Sequence, residues 1–177
     1  MSHIPQIDYD AASDAIRAAH DEEVRLRGRM TNMKRTLLHS PTAHRIYAEW
    51  FTLRDELRPA LDDRAAWLLC HAISEAMHSR IAMGFFRRAF ANAGIDFNSM
   101  MPSEDEECLI AFGRAIVADS NNVPAEIWDG LKGRYDNATL VNLVAFAGIM
   151  VATALFNNVV EVDFDPELLP YADASSA

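Results

Sequence analysis

Apolar residues recur along this chain at intervals of three and four, and no segment alternates β-branched and polar residues between turns. That is the period of helices packed on one face, so an all-α protein is predicted. Asp10 to about Arg29 reads as a charged amphipathic helix, with Ile16, Ala19 and Val24 among its apolar positions. "TNMKRTLLHSP" reads as a short helix stopped near Ser40. Ser40 and Pro41 then supply a capping hydroxyl and a first-turn proline for a helix reaching about Leu57. Asp62 is placed to cap a long helix that runs to roughly Asn92 and stops at Gly94. Ser103 and Glu106 form a capping-box pair ahead of "CLIAFGRAIVADS". Pro124 opens a short helix ending near Arg134, and Asp136 caps the last one. The segment 171–177, "YADASSA", is expected to be loose.

At 177 residues the chain has the length of one domain able to bury a core. Its formal net charge of −10 argues against nucleic acid, whose phosphates call for Lys and Arg, and against an acidic membrane surface. The start, "MSHIPQIDYD", lacks the basic-then-apolar run of a secretory signal. The most apolar run, Leu143 to Phe156, is short for a bilayer and reads as a core helix. Cys70 and Cys108 form no CxxC pair, and reduced thiols in a cytoplasmic protein are expected.

Two segments carry a family resemblance. "MTNMKRTLLHSPTAHRIYAEWFTLRDELRPALDDRAAWLL" and "CLIAFGRAIVADSNNVPAEIWDGLKGRYDNATLVNLVAFAGIMVATALFNN" are similar in order to segments of one superfamily. It is the carboxymuconolactone decarboxylase and alkylhydroperoxidase D (AhpD-like) superfamily. The likeness covers about residues 30–158 within a single domain spanning 1–177. It implies a helical bundle, a homo-oligomer of trimeric or hexameric order, and a small-molecule substrate. In the peroxidase branch a Glu, a CxxC and a His carry the chemistry. Anchored on Arg64 and Gly94, the Glu position falls on Trp67, the cysteines on Ser79 and Ala82, and the His on Phe86. None of the four groups is present. The decarboxylase branch's His and carboxylate, at Phe86 and near Ala82, are also absent.

Other polar groups fall on the same stretch. At about 100° per residue, an unbroken helix from Trp67 to Phe86 would gather His71, Glu75, His78 and Ser79 on one face with Trp67, Ala82 and Phe86. Three readings remain open for that face. His71, Glu75 and His78 could hold a divalent metal, although three ligands on successive turns of one helix rarely converge on one ion. Glu75 and His78 could instead be an acid–base pair acting on a small carboxylate or lactone, with Ser79 donating to the substrate and Trp67, Ala82 and Phe86 as pocket wall. Or the face is structural, with His71 and Glu75 as an i,i+4 pair and His78 bonded to a neighbouring helix or subunit.

No organic cofactor is expected. A non-catalytic oligomeric scaffold or small-molecule-binding protein is the rival to an enzyme. Residual alkylhydroperoxidase-like activity is a third reading, and it would have to run without a thiol pair. His44 and Tyr47 lie one turn apart and can point at a pocket, though a tyrosine such as Tyr47 more often belongs to a helix packing face. Cys70, between Leu69 and His71, reads first as a small buried apolar group.

Overall fold

The computed structural model describes residues 2–172, and among them every regular element is helical. The helices are α1 (Asp14–Arg27), α2 (Asn32–Leu37), α3 (Pro41–Leu57), α4 (Asp63–Ala76), α5 (Arg80–Asn92), α6 (Glu104–Ala118), α7 (Ala125–Lys132) and α8 (Asn137–Val160), followed by a 3-10 helix, Pro166–Tyr171. Residues 173–177, most of the predicted loose tail, lie outside the described residues, whereas Tyr171 and Ala172 are ordered and Ala172 is buried.

The caps do what their residue types allow. Ser13, Thr31, Ser40, Asp62 and Asp136 each accept a hydrogen bond from the backbone N–H three residues on. Ser103 and Glu106 close a reciprocal capping box. Gly28, at φ 74°, ends α1 in the left-handed conformation that a glycine adopts without strain.

α4 is the central element. Nine of its residues, including Leu69, Cys70, His71 and Ile73, are buried, and it packs against α5, α6 and α8. Gly113 permits the close approach of α6, because a Cβ there would stand 3.1 Å from the Leu69 backbone oxygen. α3 lies along α8, and the C-terminal 3-10 helix covers α5. The apolar run read from Leu143 to Phe156 belongs to a 24-residue helix. By length and composition alone that helix could cross a membrane. It buries Leu143, Phe146, Ala147, Met150 and Ala154 in the bundle.

One prediction fails at the point that matters most. The long helix expected from Asp62 to Asn92 is two helices, broken at 77–79. No Gly or Pro causes the break. His78 takes φ 52°. Its N–H bonds to the Glu75 carbonyl at 2.9 Å, and the Ser79 N–H reaches the Ser74 carbonyl at 2.8 Å. These two bonds are the Schellman closure, with histidine where glycine is usual. The Asn158 side chain then caps the Met77 carbonyl at 2.8 Å, tying the break to α8.

Candidate functional site

The break disperses the predicted face. His71 points inward, is 4% exposed, and lies with its ring centroid 4.4 Å from that of Phe97. Its Nε2 has no partner, and burial, with Arg87 adding to it, pushes its pKa down to about 4. Glu75 is exposed and accepts a hydrogen bond from Arg114 at 2.9 Å. His78 is exposed on the left-handed turn. Ser79 is buried at the start of α5 with its Oγ unpartnered. Trp67 is half-buried and meets Phe90 edge-on at 5.5 Å. The expectation of one shared face is therefore corrected: the inward His71 and the surface groups Glu75 and His78 do not converge. Among the described residues no group of three or more His, Cys, Asp or Glu is arranged to hold a metal ion.

Ala82 and Phe86 do reach a cavity, but the rest of its wall comes from elsewhere. About 270 Å³ of space lies between α3 (His44, Tyr47, Trp50, Phe51), α5 (Ile81, Ala82, Phe85, Phe86) and α8 (Met150, Thr153, Asn157). The segment from Arg27 to Leu37 and the C-terminal residues Asp165 and Leu168 complete it. Trp50 is held by stacking on Phe146 at 4.9 Å, and Tyr47 by an edge contact with Phe156 at 5.8 Å. Trp67 is not on this wall. Among the predicted wall residues, Ala82 and Phe86 alone line the space.

A buried charged cluster stands at the α1–α2–α3 side of the cavity. Glu23 is 3% exposed. Its Oε1 accepts from the Lys34 ammonium, and its Oε2 lies 3.5 Å from His44 Nε2. Burial lowers the pKa of both Lys34 and His44; for each, Glu23 opposes the shift. His44 is therefore neutral near pH 7, and its Nε2 makes no full hydrogen bond. Asn157 adds a buried, unpartnered Oδ1 from α8. Asp165 accepts from the Asn32 backbone N–H at 2.8 Å, and burial raises its pKa.

The rim is basic although the chain is acidic. Arg27 lies 3.9 Å over the Phe51 ring and the Lys34 ammonium 5.0 Å over the same ring, while Arg29 lies 5.5 Å over Phe85. Arg29 is also paired with Glu167 at 2.5 Å.

No thiol joins this wall. Both cysteines are free; Cys70 is fully buried and burial raises its thiol pKa, which suppresses the thiolate that any nucleophilic or redox role requires. Cys108 is half-buried, with its Sγ 3.8 Å from the Ile127 carbonyl.

Sequence reasoning flagged His44 and Tyr47 and missed Glu23 and Lys34. A signal existed for Glu23. It falls four residues after Ala19 and seven after Ile16, continuing the inward stripe of α1. Val24, read as one of that helix's apolar positions, is 37% exposed. The charged residue is inside and the apolar one outside because Glu23 finds a cation on the next helix.

No protein-family model matches the sequence, and comparison with curated proteins finds no match. Solved structures do match in shape. The debrominase Bmp8 without ligand superposes with a TM-score of 0.74 at 16% identity, over 97% of this chain and 96% of that one. A cysteine-to-alanine Bmp8 variant in complex with 2,3,4-tribromopyrrole gives 0.77 at 15% identity, over 97% and 95%. The alkylhydroperoxidase AhpD core of a peroxidase-related protein from Ralstonia eutropha JMP134 gives 0.70 at 16% identity, over 94% of each chain. The chain has the AhpD-like fold that its order of segments implies.

Proposed function

We propose that this AhpD-like chain binds a compact, mainly apolar molecule of carboxylate or lactone type in the cavity between α3, α5 and α8, and acts there without thiol chemistry. The observation that carries the reading is the cavity itself. Its size is near the lower end of small-ligand pockets, about 300–1,000 Å³, and its wall has their usual character of aromatic and aliphatic groups with a few polar ones. Arg27 on the wall favours an acidic head group over a basic one, whereas Arg29 and Lys34 are already paired with Glu167 and Glu23. The ligand-bound Bmp8 variant, a debrominase holding a small halogenated ring, supports a ring-sized occupant. It does not transfer the reaction, since Ala82 and Phe86, the positions that the resemblance assigns to the second cysteine and the histidine, stand on this wall without either group.

Glu75 and His78 both lie on the surface away from the cavity wall, which favours a plain binding role over acid–base work by that pair. A residual peroxidase would have to use Cys70, and its burial weighs against that. The reading calls for no cofactor. It places the protein in the cytoplasm, in keeping with two unpaired cysteines. It also takes the exposed outer stripe of α8, with Val141, Val144, Leu155 and Val159, as the face on which copies of the chain assemble into a trimer or hexamer.

The test is a calorimetric screen of small aromatic and aliphatic carboxylates and lactones against the wild type and Ala82→Trp. The indole would fill the space, so binding should weaken at least about tenfold while the helical spectrum is kept. Undiminished binding to Ala82→Trp would remove the cavity from consideration.

A further inference from the structure

The Glu23–Lys34–His44 cluster is more than a binding role requires. A buried ion pair is a poor source of stability, because the loss of hydration offsets most of its attraction; apolar residues of similar volume usually serve as well or better. Here such a pair sits at a cavity wall with a third polar group, a histidine 7% exposed whose Nε2 faces the carboxylate and has no hydrogen-bond partner. Buried polar atoms are ordinarily paired, so an orphan nitrogen on a ring that belongs to the cavity wall calls for an explanation.

The geometry assigns one. We propose that the cavity is a proton-transfer site in which His44 is the general base, Glu23 the positioning residue and Lys34 the cation that steadies the anion formed, acting on a small ring or carbonyl compound with an acidic C–H or O–H. The proposal rests on the cavity binding such a molecule. In this assignment the ring carries its proton on Nε2, facing Glu23 Oε2, and Nδ1 keeps the lone pair that acts as the base. His44 takes the proton, the bond's electron pair stays on the substrate, and the 3.5 Å gap to Glu23 becomes a charge-assisted contact with the new imidazolium. Through the step the Glu23 Oε1 stays on the Lys34 ammonium. Lys34 belongs to the same cavity wall, and in this assignment its ammonium meets the negative charge left on the substrate.

Glu23 on α1 and Lys34 on α2 are the charges that act on the ring, and the other charged and titratable groups of the cavity wall are Arg27 on α1, Arg29 in the α1–α2 link, Tyr47 on the ring's own helix and Asp165 in the C-terminal segment. Neutral His44, lowered by burial and by Lys34 but raised by Glu23, is in the form a base needs at neutral pH.

Nitrobenzisoxazole is the probe. A base removes its ring C–H proton, the C–H pair becomes part of a nitrile, and the N–O bond breaks with its pair going to oxygen, giving a coloured cyanophenolate as the single product. The wild type should open the ring with saturation kinetics, and His44→Gln should lower kcat by at least about a hundredfold with probe affinity, read by Trp50 quenching, little changed. Glu23→Gln should move the pH midpoint of kcat down and Lys34→Met should move it up. Paired shifts of opposite sign would not follow from a packing role. If the probe binds and ring opening is absent, or unaffected by His44→Gln, the proton-transfer assignment is wrong while the cavity stands. If the probe binds neither the wild type nor His44→Gln, the cavity reading fails and takes this proposal with it.

Discussion

The two inward-facing histidines stand in very different surroundings. His71 sits in the α4 core against Phe97, and the nearest acid, Glu75, is turned to solvent and held by Arg114. His44 is also buried, though less deeply, and faces a carboxylate across 3.5 Å, with an ammonium on that carboxylate's other oxygen and a cavity wall of which it is part. Burial alone yields a neutral ring with nothing to receive or to hold charge. Burial with a partner and a space yields a group that can cycle between two states. Chemistry is expected where the second arrangement occurs, and the position on the central helix that attracts attention in the sequence has the first.

Acid should expose the His71 side of this contrast most strongly. The folded chain keeps the ring neutral down to about pH 4, whereas the unfolded chain protonates it near the ordinary value of 6.5. Between those two values the unfolded state binds more protons, so stability falls as pH is lowered through the window, by about 3 kcal/mol in all. Urea denaturation at neutral pH and near pH 4 measures the loss. His71→Leu should flatten that slope and leave cavity binding intact; a slope unchanged in His71→Leu would contradict the picture of a silent buried ring.

How much of this was legible in the sequence follows from the range of the forces involved. Caps are local, so Ser40, Asp62, Ser103 and Asp136 marked their helices correctly from residue type and spacing. The break at His78 was hidden because its determinants are not local. Without Gly or Pro, the turn depends on a left-handed histidine and on Asn158, eighty-one residues away, bonding the Met77 carbonyl. The cavity was hidden for the same reason: His44, Ala82, Phe86 and Asn157 come from three helices, and only the bundle brings them together. Glu23 was missed because a glutamate on an amphipathic helix is ordinarily solvated, and its partner Lys34 lies beyond a glycine turn.

The break gives a smaller test. In a left-handed position glycine avoids the steric penalty of a side chain, so His78→Gly should raise stability by up to about 1 kcal/mol; in a continuous helix the same change would lower it by roughly as much. Thermal melts of the two proteins decide the sign. The smallest effect belongs to the surface pair. Glu75→Gln should change stability by less than about 1 kcal/mol, since both it and Arg114 are substantially exposed, and should leave ring opening of the probe unaltered.

The central claim, that ligand chemistry belongs beside His44 rather than along the exposed edge of α4, is tested most directly by a crystal structure with nitrobenzoate, an unreactive relative of the probe. The account predicts its ring among Trp50, Phe51 and Phe86, with an atom in hydrogen-bond reach of the His44 ring and the carboxylate towards the basic rim. Nitrobenzoate bound instead at Glu75 and His78, with the cavity between α3, α5 and α8 unfilled, would contradict it.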